Sequence, residues 1–174
     1  VLLTYVLSGR DARILTLILA GVALNAFAAA LTSLALNLAP SPYAALEIVF
    51  WLLGSLADRS FEHVGIALPL MLLGGFLFIG TGRALDALSL GEDVARSLGI
   101  NLRVVRARLI LGTALAVGAA VSVSGTVGFV GLVVPHLLRP LVGHEPGRLL
   151  LPSALGGAAL VLAADIATRI IPVE

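Results

Sequence analysis

The chain has 174 residues, 59% of them hydrophobic and only 12% charged, with a mean hydropathy of +1.10; these values exclude a soluble domain and leave an integral membrane protein. The formal charge is +1 and all eleven basic residues are arginine, so every cation is permanent, and no basic face accumulates that would recruit nucleic acid. Cysteine is absent, which excludes disulfides, thiolate metal sites and thiol catalysis.

The opening VLLTYVL is apolar but gives way to SGRDAR after seven residues, too soon for a spanning helix or a signal peptide. It predicts a stub of a helix, and RIIPVE ends as abruptly, so the chain reads as a fragment with partners missing on both sides. Residues 14–38 carry no charge and are the first stretch able to span, since about 20 residues cross a hydrocarbon core of roughly 30 Å. Asn25, Thr32 and Asn37 fall inside it, where a polar side chain needs a partner helix or water. Interhelical hydrogen bonding and the lining of a pathway both meet that need.

Residues 39–63, APSPYAALEIVFWLLGSLADRSFEH, combine prolines, a short apolar run over 44–53 and mixed charges. This pattern predicts a re-entrant or interfacial helix, with Tyr43 and Trp51 at headgroup depth. Residues 64–82 form the second uncharged span. The loop that follows, residues 83–108, is unlike the rest. Leu85, Leu88, Leu90, Val94, Ala95 and Leu98 can form one side of short amphipathic helices, which Gly91 and Gly99 break or end. Periodicity alone allows a docking element or a helical loop lying on the membrane surface.

Residues 109–138 contain no formal charge. As one helix they would measure about 45 Å, so the Gly and Ser of SVSGTVG, residues 122–128, suggest two spans joined by a tight turn. Two spans put nine arginines on one side and Arg59 and Arg169 on the other, whereas one span gives eight against three; the positive-inside bias favours two spans by a narrow margin. Both arrangements leave the 83–108 loop in the cytoplasm. A shorter run over 149–164 is closed by Asp165. Ala114, Gly118 and Ser122 recur at four-residue spacing and would let neighbouring backbones approach closely.

Little in the chain suggests chemistry. Ser124 and His136 could form a dyad on facing helices, but twelve residues separate them and no GxSxG context is present. His63, His136 and His144 make no metal site, because His63 falls on the opposite membrane face from His144. A GxxxxGK[ST] phosphate loop needs lysine, and the chain has none, so nucleotide chemistry would have to come from another chain. No catalytic residue, metal ligand or cofactor is expected.

Three stretches, LILAGVALNA (17–26), LSLGEDVARSLGI (88–100) and the long run GTVGFVGLVVPHLLRPLVGHEPGRLLLPSALGGAALVLAADIATR (125–169), resemble the transmembrane permease of ABC importers for iron-siderophores, haem and cobalamin, the FecCD-like family. The resemblance covers nearly the whole chain in consistent order. It implies an all-α polytopic membrane bundle of which this chain supplies about five of ten transmembrane helices plus the stub, in one domain with a coupling loop at 83–108. It also implies the two-span topology, with SVSGT as the outer turn, a returning helix over 127–142 and HEPGR in the cytoplasm. In the family the loop matching residues 88–100 seats two short helices in a cleft of the ATP-hydrolysing subunit, which implies coupling roles, by contact or by shape, for Leu90, Gly91, Glu92, Ala95, Leu98 and Gly99. Arg169 takes the place of an arginine that docks the soluble binding protein, and Asn25 and Thr32 become translocation-path residues.

The partners implied are an ATP-binding cassette ATPase, a periplasmic or lipid-anchored substrate-binding protein, a second permease copy and membrane lipid, at the bacterial inner membrane. The permease is not itself an enzyme. A secondary transporter with broken helices and midplane polar groups is the alternative. Pro135 is expected to bend a helix, and His136 to pack or hydrogen-bond within the bundle.

Overall fold

The computed structural model describes residues 14–57 and 59–170, with side chains from Ile18 onward. The stub, SGRDAR with Arg10 and Arg13, and residues 171–174 lie outside the described residues. Among the described residues every regular element is a helix: α1 (Ile14–Asn37), α2 (Pro42–Leu53), α3 (Phe61–Phe78), α4 (Gly82–Ser89), α5 (Glu92–Ser97), α6 (Leu102–Ser124), α7 (Val130–Val142) and α8 (Pro146–Ile170). Four of them, α1, α3, α6 and α8, are long and apolar enough to cross a membrane. The chain forms two compact units, one of residues 1–77 and 106–126, the other of residues 78–105 and 127–174.

In the first unit, α2 starts where the sequence dictates. Ser41 is extended and its hydroxyl accepts from the Ala44 N–H at 3.2 Å, with Pro42 at the first helical position; proline has no N–H to leave unsatisfied there. The helix has 12 residues and buries none of them, so the short apolar run predicted over 44–53 is helical. Its end is stapled to the end of α6 almost wholly by backbone. Ser55 N–H donates to Ser124 O at 2.7 Å, and the Thr126 hydroxyl donates to Leu52 O. Gly54 and Gly125 sit in the left-handed region at φ 68° and 72°, and a Cβ on Gly54 would lie 2.6 Å from Thr126 O. Only glycine allows both the turn and the approach.

The helices α3 and α6 meet in the same way. A Cβ on Gly74 would lie 2.6 Å from Gly112 O and 2.8 Å from Ala116 N, so the backbones touch, as small residues in membrane helices allow. The stripe used is Gly112, Ala116 and the buried Ala119. It is not the expected Ala114, Gly118 and Ser122, since Gly118 and Ser122 are exposed. At the start of α3, the His63 ring accepts the Ser60 N–H at 3.3 Å, the reciprocal half of a capping box with histidine in the usual Glu/Gln position.

In the second unit, α7 lies against α8. A Cβ on Gly156 would meet Leu138 Cδ1 at 2.9 Å and Val134 Cγ1 at 3.0 Å, so the glycines of α8 form the notch that Val134 and Leu138 fill. Those two residues define the packed face of α7. His136 lies midway between them, about 200° round the helix from either, and is exposed; the expectation that it packs within the bundle does not hold for the described residues. Pro135 and Pro140 both sit inside α7, each removing an N–H and freeing the carbonyl four residues back, at Gly131 and His136.

With 13 residues, α7 begins three residues later than the predicted 127–142 helix and is about 20 Å long, against about 34 Å for α6. Five non-helical residues precede α7, and Gly147, at the start of α8, meets Asp86 and Gly82 of α4.

Candidate coupling site and partner surfaces

Residues 78–105 build a rigid hairpin of two short helices. Gly80, at φ 80°, ends α3. Thr81 is buried (1% exposed), and its side chain donates to Phe78 O at 2.7 Å beside its own backbone N–H at 3.1 Å, so both donors converge on a carbonyl at the end of α3. Between α4 and α5, Leu90 and Gly91 N–H donate to Ala87 O and Leu88 O, each at 3.1 Å, and Gly91 turns at φ 112°. The end of α5 is a Schellman motif: Gly99, at φ 79°, donates to Arg96 O at 2.9 Å, and Ile100 donates to Ala95 O at 3.1 Å. Ile100 also packs on the cluster formed by Ala87, Ala95 and Leu102, the apolar contact that accompanies this cap.

Asn101 then caps α6, its side-chain oxygen accepting the Val104 N–H at 3.3 Å. Helix α6 therefore begins at Leu102, and the last residues of the predicted 83–108 loop, Arg103, Arg106 and Arg108 included, belong to its first turns. Asn101→Ala is expected to cost about 1 kcal/mol, the usual worth of such a cap, read as a lower thermal midpoint in detergent. An unchanged midpoint would remove the capping role.

The six expected coupling residues divide by geometry. Ala95 is fully buried (0% exposed), so it sets the shape of the hairpin and presents nothing outward. Gly91 and Gly99 set its turns. Leu90 (69% exposed) and Leu98 (64% exposed) face outward together with Val94, which the six had left out. All three are exposed apolar side chains, Val94 within α5 and Leu90 and Leu98 at the turns on either side of it. Glu92 stands at the start of α5 and pairs with Arg96 at 3.4 Å, and the acidic first turn and basic last turn of α5 both complement the helix dipole.

Asp86 ties the hairpin to α8. Its Oδ1 accepts the Gly147 N–H at 2.6 Å. Gly147 is the second residue of α8, a donor normally satisfied by the residue that precedes the helix; Glu145, in that position, pairs with Arg148 instead. At the other end of α8, Arg169 is more than half exposed and is held by Asp165, with Nε 2.9 Å from Oδ2 and an Nη 3.4 Å from Oδ1.

The two expected path residues lie on one face of α1, seven positions apart. Asn25 is exposed, while Thr32 is half-buried and donates back to Ala28 O at 3.0 Å. Gly21 and Ala28 complete the same face at helical spacing. Arg59 has its own work, covering the Trp51 ring at 5.3 Å.

The model of the FecCD transport family matches residues 1–174. The chain belongs to the FecCD transport family. It is 40% identical to the hemin transport system permease protein HmuU of Yersinia pestis over 88% of this chain and 46% of that protein. It is 42% identical to the vitamin B12 import system permease protein BtuC of Vibrio cholerae over 97% of this chain and 51% of that protein. A solved structure described as an inward-facing conformation of an ABC transporter of the metal-chelate type superposes with a TM-score of 0.83 at 31% identity, covering 99% of this chain and 56% of that one. The chain spans about half the length of the curated relatives it matches. Family membership and four apolar spans make this FecCD chain part of a multi-pass membrane protein.

Proposed function

We propose that this chain helps form the translocation path of a binding-protein-dependent ABC importer for an iron-siderophore, haem or cobalamin type of metal chelate. ATP is hydrolysed in a separate ATP-binding cassette subunit, and the permease itself is not an enzyme. The observation that carries this reading is the α4–α5 hairpin: a helix pair fixed by left-handed glycines and a buried alanine core, leaving Leu90, Val94 and Leu98 exposed. A rigid hairpin seated in a closing cleft converts closure into movement of the attached spans.

In this reading Leu90 and Leu98 contact the ATPase, with Glu92 beside them, while Gly91, Ala95 and Gly99 keep the hairpin's shape. Asn25 and Thr32 line the path between two permease copies in the bacterial inner membrane, among lipid. Arg169 docks a carboxylate of the periplasmic or lipid-anchored binding protein, and Asp165 pre-orients its guanidinium. The test is affinity purification of the complete permease. An ATP-binding cassette subunit and a binding protein carrying a metal chelate should co-purify, and recovery of neither would sink the reading. Arg169→Glu is expected to weaken binding-protein docking more at low salt than at high, because exposed charges are screened within about 10 Å at 0.1 M salt. Affinity measured by surface plasmon resonance across a salt series decides this, and equal affinity for the variant and the parent would exclude Arg169.

A further inference from the structure

The contact between α4 and α8 is made at a point where the fold has no slack. Gly82 and Gly147 are in backbone contact: a Cβ on Gly147 would lie 2.8 Å from Gly82 O and 2.6 Å from Asp86 Oδ2. Across this contact the half-buried Asp86 carboxylate holds the Gly147 N–H at 2.6 Å. A carboxylate at a helix N-terminus is also favoured by the helix dipole. The bond joins residues 61 positions apart, so local chain geometry does not impose it. Helix α8 then runs 25 residues, about 37 Å, to the end that carries Arg169.

We propose that Asp86 is a positioning residue that couples the hairpin to α8, so that displacement of α4 is carried along α8 to its Arg169 end, and displacement at that end is carried back. The proposal rests on the coupling role given to the hairpin above. Gly147 has no side chain, so the carboxylate reaches the backbone of α8 directly, and Gly82 lets the two helix starts close on each other. Helix α8 therefore follows α4 as one body.

The test is the stimulation of ATP hydrolysis by added binding protein, measured on the complete permease–ATPase complex in liposomes with the purified cognate binding protein as probe. Asp86→Ala is expected to co-purify with the ATPase at the parent level and to keep basal hydrolysis, but to lose about tenfold of the stimulation, the scale of losing a hydrogen bond to a charged group. Asp86→Asn keeps an acceptor oxygen and should restore most of it. Gly147→Ala keeps the carboxylate but places a Cβ against both Gly82 O and Asp86 Oδ2, so it forces the two helix starts apart and should reproduce the Asp86→Ala defect. Parent-level stimulation in both Asp86→Ala and Gly147→Ala would overturn the proposal. So would loss of ATPase association in both, which would assign the contact to folding alone. A parent complex that holds no ATPase or shows no stimulation would instead defeat the functional reading on which the proposal rests.

Discussion

Gly99→Val in the complete permease is expected to reduce chelate uptake by about tenfold or more while leaving membrane insertion intact, the factor that a local cost of about 1.4 kcal/mol produces. The cost has two sources. Gly99 sits at φ 79°, where any L side chain is disfavoured by about 1–2 kcal/mol and a β-branched one by more. Moving it would also break the Schellman bonds from Gly99 to Arg96 O and from Ile100 to Ala95 O and lift Ile100 off the alanine cluster. Leu98 immediately precedes this turn, so its presentation would change with it. Space is not the reason, since a Cβ on Gly99 would meet nothing within 4 Å. Uptake of radiolabelled chelate into cells, alongside co-purification of the ATPase, measures the effect. Parent-level uptake would show that the turn does not govern coupling.

The second large effect is structural. Gly74→Ala places a Cβ 2.6 Å from Gly112 O and 2.8 Å from Ala116 N. Both are backbone atoms, so no rotamer change relieves the overlap and α3 must separate from α6. Overpacking of this kind costs about 1–3 kcal/mol. Gly75→Ala is the matched control, because a Cβ there meets nothing within 4 Å. Thermal unfolding of the two variants in the same detergent should show Gly74→Ala lower. Equal midpoints would mean that the helices give way freely at this crossing.

Much of this fold was legible in the sequence, because spanning runs, arginines and glycines each answer to one strong constraint. Lipid requires long apolar helices, so α1 and α3 could be read from length alone; α6 needed the Gly and Ser of residues 122–128 to divide a 30-residue run, and α8 (Pro146–Ile170) extends past both ends of the shorter run read over 149–164. The faces were harder. Leu85, Leu88, Leu90, Val94, Ala95 and Leu98 read as one apolar side of the 83–108 loop; Ala95 and Leu88 do join the hairpin core with Ala87, Leu102 and Ile100, while Leu90, Val94 and Leu98 are exposed. Where helices pack partly through alanine, some of the larger apolar residues are left exposed, and periodicity cannot tell which. The same ambiguity misplaced the small-residue stripe of α6 and the packed face of α7, where His136 turns away from α8. Asp86 gave no local signal at all. Its partner lies 61 residues away, and an aspartate within an amphipathic loop reads as an ordinary solvated charge.

The joint between α2 and the end of α6 carries a further implication for how such a surface diversifies. Its hydrogen bond from Ser55 to Ser124 runs from backbone to backbone, and its close approach is secured by Gly54 and Gly125. Neither depends on the identity of the exposed side chains of α2, such as Tyr43, Phe50 and Leu53. Side chains on that face can therefore change to suit new neighbours while the two glycines and the Thr126 hydroxyl keep the frame beneath it.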